Sequence, residues 1–293
     1  MKRAAMVVLV LGLVQFAPAQ QTPATTAAPA QGTTPTPAAK RLPQAKTQPE
    51  FAAYQAAMTK ANDPAGLEAA ANDFATKYPD SELRILLFKE DMAAYRSANN
   101  GEKMMEMGRK VLAIDPDSPE ALIGVGEILV ERTHDTDLDK AQRWAEAEKL
   151  LQHALETIDT DIVVPPNTPQ DKVDAFKSDL RSSAYSILGT LASNQEKYPD
   201  AENYYHKSID AFPSQPDPVV VLRLALVLDK QGRYGDALKE ADRAVELTKQ
   251  IPSLAETAQH EHDRLVQLTG GIPTSAPAST PPASAPAPAA PKN

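Results

Sequence analysis

Histidine and carboxylate side chains are the first places to look for chemistry in this chain. Gln259-His260-Glu261-His262-Asp263 sets two imidazoles beside two carboxylates, the donor types that hold a transition metal. Residues two apart on a helix point in nearly opposite directions, so one ion does not take both rings. The stretch is predicted to be the solvated face of a helix. Asp135-x-Asp137-x-Asp139 with Glu146 eleven residues after Asp135 has the spacing of a calcium loop. Lys140 occupies the position where that loop turns on glycine, so the aspartates read better as the acidic start of a helix over 138–158. Gly124-x-Gly126 precedes Leu129 where a dinucleotide loop needs glycine, and it lies inside a helical pattern, so close packing is predicted. Trp144, the only tryptophan, shares a helical face with Ala141, Glu148 and Leu151. Core packing is its simpler role and a recognition anchor the alternative. The chain has no Gly-x-Ser-x-Gly elbow, His-Glu-x-x-His helix or Gly-x4-Gly-Lys phosphate loop. It has no cysteine, which excludes a disulfide framework, thiolate metal ligation and a cysteine nucleophile. The sequence therefore predicts no catalytic set, no cofactor and no bound metal.

The charges show where a folded body lies. Residues 1–49 and 271–293 contain no Asp or Glu, so all 39 acids fall between 50 and 270. Against them stand 24 of the 30 bases, a formal charge of −15 for the middle of the chain. That excess argues against nucleic acid, where neutralising phosphates supplies most of the affinity, and against anionic membrane surfaces. Of the 26 prolines, 14 lie in the 72 terminal residues. Residues 1–19 read as a secretory signal: Lys2 and Arg3, an apolar run over 4–16, then Ala17-Pro18-Ala19. The run is shorter than the ~20 residues that span a bilayer. Cleavage after Ala19 would give a periplasmic or secreted protein of bacterial type, with no membrane insertion once the signal is gone. Residues 20–49 (Ala, Pro, Thr, Gln) and 272–293 (Pro, Ala, Ser) have little to bury and are predicted to be disordered linker and tail. They are either spacers or segments that carry sugars or reach into the cell wall.

Between 50 and 271 the pattern is helical. Tyr234, Ala237, Leu238, Ala241, Ala244 and Val245 form one apolar stripe, and Ala147, Leu150, Leu151, Ala154, Leu155 and Ile158 form another. No run alternates with period two, so the fold class is all-α. Gln231-Gly232-Arg233-Tyr234-Gly235-Asp236-Ala237 parallels Gln195-Glu196-Lys197-Tyr198-Pro199-Asp200-Ala201. Around the latter stand Tyr185-x2-Leu188-Gly189-x2-Ala192, Ala201-x3-Tyr205-x2-Ser208 and Pro213. This resembles the tetratricopeptide repeat (TPR). The small residue opening the second helix recurs at Ala70, Met104, Ala147, Ala201 and Ala237, at intervals of 34, 43, 54 and 36. Relative to a period of 34, the larger excesses place insertions in the connections at 131–140 and 159–177. Met104 and Gly108 replace the usual alanine and aromatic, which predicts loose packing for that helix. Residues 252–269 read as a capping helix.

The resemblance implies a right-handed superhelix of about five helix-turn-helix repeats, whose first helices line a concave groove. By alignment the lining is Lys89, Ala93 and Arg96, then Ile123, Glu127 and Val130, then Ser186, Thr190 and Ser193, and last Leu222, Leu226 and Asp229. The family's clamp for C-terminal carboxylates pairs Lys with Asn, and Ala93 stands where that Asn is needed. The function implied is a non-catalytic scaffold of the cell envelope that binds a segment of another protein. The alternative is a cell-wall-associated structural protein acting through its Pro/Ala-rich ends. The export reading has a direct check: the protein recovered from a bacterial envelope fraction should begin at Gln20 by N-terminal mass spectrometry. Retention of Met1 would overturn it.

Overall fold

The computed structural model describes residues 40–270. The predicted signal at 1–19, most of the predicted linker and the predicted tail at 272–293 lie outside them. The described residues form eleven helices and no strand. They are α1 (Gln48–Met58), α2 (Pro64–Lys77), α3 (Arg84–Ser97), α4 (Gly101–Ile114), α5 (Pro119–Glu131) and α6 (Lys140–Thr157). Then follow α7 (Gln170–Asn194), α8 (Tyr198–Ala211), α9 (Pro218–Lys230), α10 (Tyr234–Thr248) and α11 (Pro252–Leu268). The starts are encoded locally. Thr47 and Glu50 form a capping box, Asp63 accepts from Gly66 N at 3.1 Å, and Asn100 accepts from Lys103 N at 3.2 Å. Proline opens α2, α5, α9 and α11, where its missing N–H leaves no helical bond unmade.

Three hairpins close with the same turn. Asn100 N, Lys197 N and Arg233 N each donate to a carbonyl five residues back, on Tyr95, Ala192 and Leu228. The residue before each donor is left-handed: Asn99 (φ 55°), Glu196 (φ 60°) and Gly232 (φ 73°). Glycine takes this conformation freely, whereas glutamate does so at a cost. The parallel between 195–201 and 231–237 in the sequence is therefore a shared backbone turn.

The chain divides into two compact units between Val220 and Val221. In the first, α1 to α8 pack in chain order, each on its sequence neighbours, with α1 also meeting α3 and α5 meeting α7. Leu67, Phe74, Leu87, Met107 and Val111 centre one cluster. Helix α5 contributes to two more. Leu122 and Ile123 join Ile158, Ile162, Leu180 and Ala184, while Val125, Leu129 and Val130 join Trp144, Ala147 and Leu191. Trp144 is thus a core residue. In the second unit α11 lays Ala258, Glu261, His262, Leu265 and Val266 inward against α10.

Close approach at glycine holds the pairs together. A Cβ on Gly189 would stand 2.6 Å from the ring of Tyr205, which is only 1% exposed. One on Gly126 would stand 2.9 Å from Leu151 Cγ, and one on Gly108 2.7 Å from Val125 Cγ2. The last contact corrects an expectation. Helix α4 is not loose, because Met104, Met107 and Val111 are buried and the bare Gly108 lets Val125 in. A second correction concerns the insertion at 159–177. Its latter part is helix, since α7 starts at Gln170, and Ile162 from its first part is core. A third concerns the linker: from Lys40 onward the chain is held on the body, and α1 begins at Gln48.

Urea denaturation of two variants separates turn from crossing. Glu196→Gly should stabilise by about 0.5–1 kcal/mol, since glycine removes the left-handed strain but adds freedom to the unfolded chain. Gly189→Ala should destabilise by about 1–3 kcal/mol, because the added methyl meets a ring that has nowhere to go. Shifts of the same sign would contradict the packing described.

Candidate functional site

Of the predicted groove residues, Leu222, Leu226 and Asp229 lie on α9, and those on α3, α5 and α7 belong to unit 1. Their charges have found each other. Lys89 Nζ donates to Glu120 Oε2 at 3.2 Å, and Arg96 donates to Glu127 Oε2 at 2.6 Å. Each pair is 31 residues apart, joining α3 to α5 in two parallel rungs. Lys89 is largely enclosed (side chain 17% exposed), whereas Arg96 is half open (52%). Ala93 is exposed between them, one turn from each. On α7, Thr190 donates its hydroxyl to Ser186 O at 3.0 Å and accepts from the Tyr205 hydroxyl at 3.4 Å. Both are half-buried.

Three predicted lining residues are not surface, the first being Val130, 2% exposed in the cluster with Trp144. Ile123 is 3% exposed, covered by Ile162 and Leu180 of the insertion and of α7. Leu222, in the second unit, is 4% exposed. Leu226, four residues on, is 39% exposed. The apolar composition of α9 made these two look alike, and only the rotation of the helix separates them.

Sequence reasoning missed a small cleft of about 50 Å³. Leu188, Leu191 and Ala192 of α7 line it together with Glu148 of α6 and Asp200 and Tyr204 of α8. Sites for cofactors and small molecules run to several hundred Å³, so this one has room for about one side chain. Tyr204 stacks on Tyr185 with ring centroids 6.4 Å apart, and Lys207 lies 5.6 Å from the Tyr204 centroid. The signal available in the sequence was the Tyr204-Tyr205 pair, which a helix divides between surface and core.

The other candidate groups are engaged within the protein. Asp135 pairs with Lys140, Asp139 with Arg143 and Glu146 with Arg109, while Asp137 accepts from His134 N. His262 corrects the solvated-face expectation, since it is 7% exposed and meets Asp242 at 3.0 Å and Asp263 at 3.0 Å. Among the described residues no cluster of three or more His, Asp or Glu is placed to share a metal ion. No described helix is long and apolar enough to cross a membrane.

One carboxylate stands apart. Asp91 on α3 is fully buried, and neither oxygen has a hydrogen-bond partner. Burial pushes its pKa up to about 7, nearby Glu68 of α2 adds to this, and Lys110 and Lys103 of α4 oppose it. Glu68 is itself held low by hydrogen bonds from Lys103 and Tyr95, and Glu106 by Lys103. A charged network thus surrounds a carboxyl group it does not touch.

Serial hairpins, a repeated turn and glycine crossings define an all-α helical-repeat fold. No protein-family model matches the chain, and no curated protein sequence matches it. Among solved structures it is similar to the MamA protein, at 16% identity and a TM-score of 0.49, over 70% of this chain and 94% of that one. It is also similar to PilW, a widely conserved type IV pilus biogenesis factor, at 22% identity and 0.47, over 78% and 96%. PilF of Pseudomonas aeruginosa aligns at 19% and 0.45, over 76% and 92%. The repeat class rests on this chain's own hairpin order and turns.

Asp91 gives a signed pH prediction. The folded protein binds this proton more tightly than the unfolded chain, whose aspartate titrates near ~3.9. Its contribution to stability is complete below that value and is lost as the pH rises through about 7. In urea melts, Asp91→Asn should gain on the wild type by about 2 kcal/mol between pH 5 and pH 8. A difference independent of pH would contradict the burial argument.

Proposed function

We propose that this protein is a non-catalytic interaction scaffold of the bacterial cell envelope, which holds an extended segment of a partner protein across α3, α5 and α7. The observation that carries this reading is the exposed Arg96–Glu127 rung beside Ala93. Exposed ion pairs are worth only ~0–1 kcal/mol. A ligand that brings its own charges re-partners Arg96 and Glu127 at small cost. The hydroxyls of Ser186 and Thr190 offer polar contacts further along the chain. Serial stacking leaves a surface of this kind between hairpins without needing any reactive group. The envelope location is supported by the signal pattern at 1–19, and a protein partner by the −15 charge of the folded body.

Photocrosslinking in the native host tests the site. A benzoylphenylalanine at Ala93 should trap a discrete adduct, and one at Asn203 on α8 should not. Replacing both Arg96 and Glu127 by alanine should abolish the Ala93 adduct while lowering stability by no more than about 1 kcal/mol. Adducts that persist in that variant, or that form equally at Asn203, would overturn the proposal.

A further inference from the structure

Residues 40–45 belong to no helix or strand, yet they are fixed in place. Lys40 Nζ donates to Asp115 Oδ1 at 2.6 Å and reaches Asp161 Oδ1 at 3.4 Å. Arg41 grips both oxygens of Glu82, and Gln44 N donates to Glu82 Oε2 at 3.1 Å. Ala45 packs against the first core cluster. Glu82 lies between α2 and α3, Asp115 between α4 and α5, and Asp161 between α6 and α7. A short extended strap thus touches three successive connections between hairpins on one edge of the first unit.

The chemistry of that edge is specific. Among the described residues, no base other than Lys40 pairs with Asp115, and none other than Arg41 pairs with Glu82. The side chain of Asp115 is only 10% exposed, and a nearly enclosed carboxylate is costly without its cation. Adjacent residues of an extended chain point to opposite sides, which lets Lys40 and Arg41 serve different connections at once. The Arg41–Glu82 pair is exposed and screened by salt, and the strap has no helical hydrogen bonds of its own, so it opens more easily than the helices. When it opens, the edge presents carboxylates spaced to receive another Lys-Arg segment.

We propose that the acidic edge formed by Glu82, Asp115 and Asp161 is a docking site for an extended Lys-Arg segment of a partner protein, occupied at rest by the chain's own residues 40–45. The partner binds by displacing the strap. Its segment carries Lys-Arg, a backbone N–H three residues after the arginine, and a small residue next to that, as Lys40, Arg41, Gln44 and Ala45 do here. This surface is separate from the α3/α5/α7 face, and its test is independent of that reading.

The probe is a fluorescent peptide with the sequence of residues 37–46, added to the full chain. The tethered strap competes at an effective concentration on the order of millimolar. The Lys40→Ala/Arg41→Ala variant should therefore bind the peptide at least tenfold more tightly than the wild type. Binding should weaken at least fivefold between 50 and 300 mM salt, and should disappear when Asp115→Asn is added or when the peptide's Lys-Arg is replaced by Ala-Ala. A second readout leaves the strap's charges intact. The chain has no cysteine, so Gln44→Cys takes a single dye, and excess unlabelled peptide should lower its anisotropy as the strap is released. Equal binding by wild type and variant, or no binding by the variant, would overturn the proposal, as would an anisotropy that peptide leaves unchanged.

Discussion

Two helices approach only as closely as the side chains at their crossing allow, and this fold depends on crossings where one side chain is missing. Gly189 beneath Tyr205, Gly126 beneath Leu151 and Gly108 beneath Val125 each admit a buried neighbour into space a methyl group would fill. Because packing is dense and weakly compressible, each crossing fixes the rotation of both partners. That rotation decides which residues face the core and which face water. Helix α5 shows the consequence. Gripped through Gly126 on one side and against Gly108 on another, it is buried along nearly its whole length, and little more than Glu120, Glu127 and Glu131 is left to solvent. The candidate binding surface is what these crossings leave over.

Charge is arranged around the packing. The acidic body takes up its bases in short bridges between helices far apart in sequence, such as Lys89 with Glu120 and Lys103 with Glu68. Such bridges add little stability in water and act mainly to set which surfaces stay neutral. Where the same charges are enclosed, the accounting changes. Asp115 is nearly enclosed with Lys40 as its partner, whereas Asp91 is enclosed with none and is held close to neutrality by burial. One acidic body thus contains a carboxylate that requires a cation and another that resists ionisation. What separates them is whether a base lies within reach.

Much of the architecture was legible because its causes are local. The Tyr-Pro-Asp-Ala and Tyr-Gly-Asp-Ala stretches mark helix starts after the same left-handed turn, and caps such as Asp63 and Asn100 act within three residues. The stripe through Ala147, Leu151 and Ala154 needs only the helical repeat to become a buried face. The site was less legible. Lys89 and Arg96 look like free cations in a string of letters, and become half of two ion pairs once α5 lies alongside. Alignment to a regular repeat marked Ile123 as lining, but the irregular insertion at 159–177 lays Ile162 over it.

By itself, then, the sequence determined an all-α chain of similar hairpins, an acidic body and basic, proline-rich ends, because periodicity, capping and composition act over a few residues. Tertiary structure alone decided which charges neutralise each other, which leucine of α9 is exposed, and that residues 40–45 strap three connections together. Those outcomes depend on distances between groups 31, 75 or 121 positions apart. Such distances follow from the angle at which each hairpin leans on the next, which no local pattern encodes.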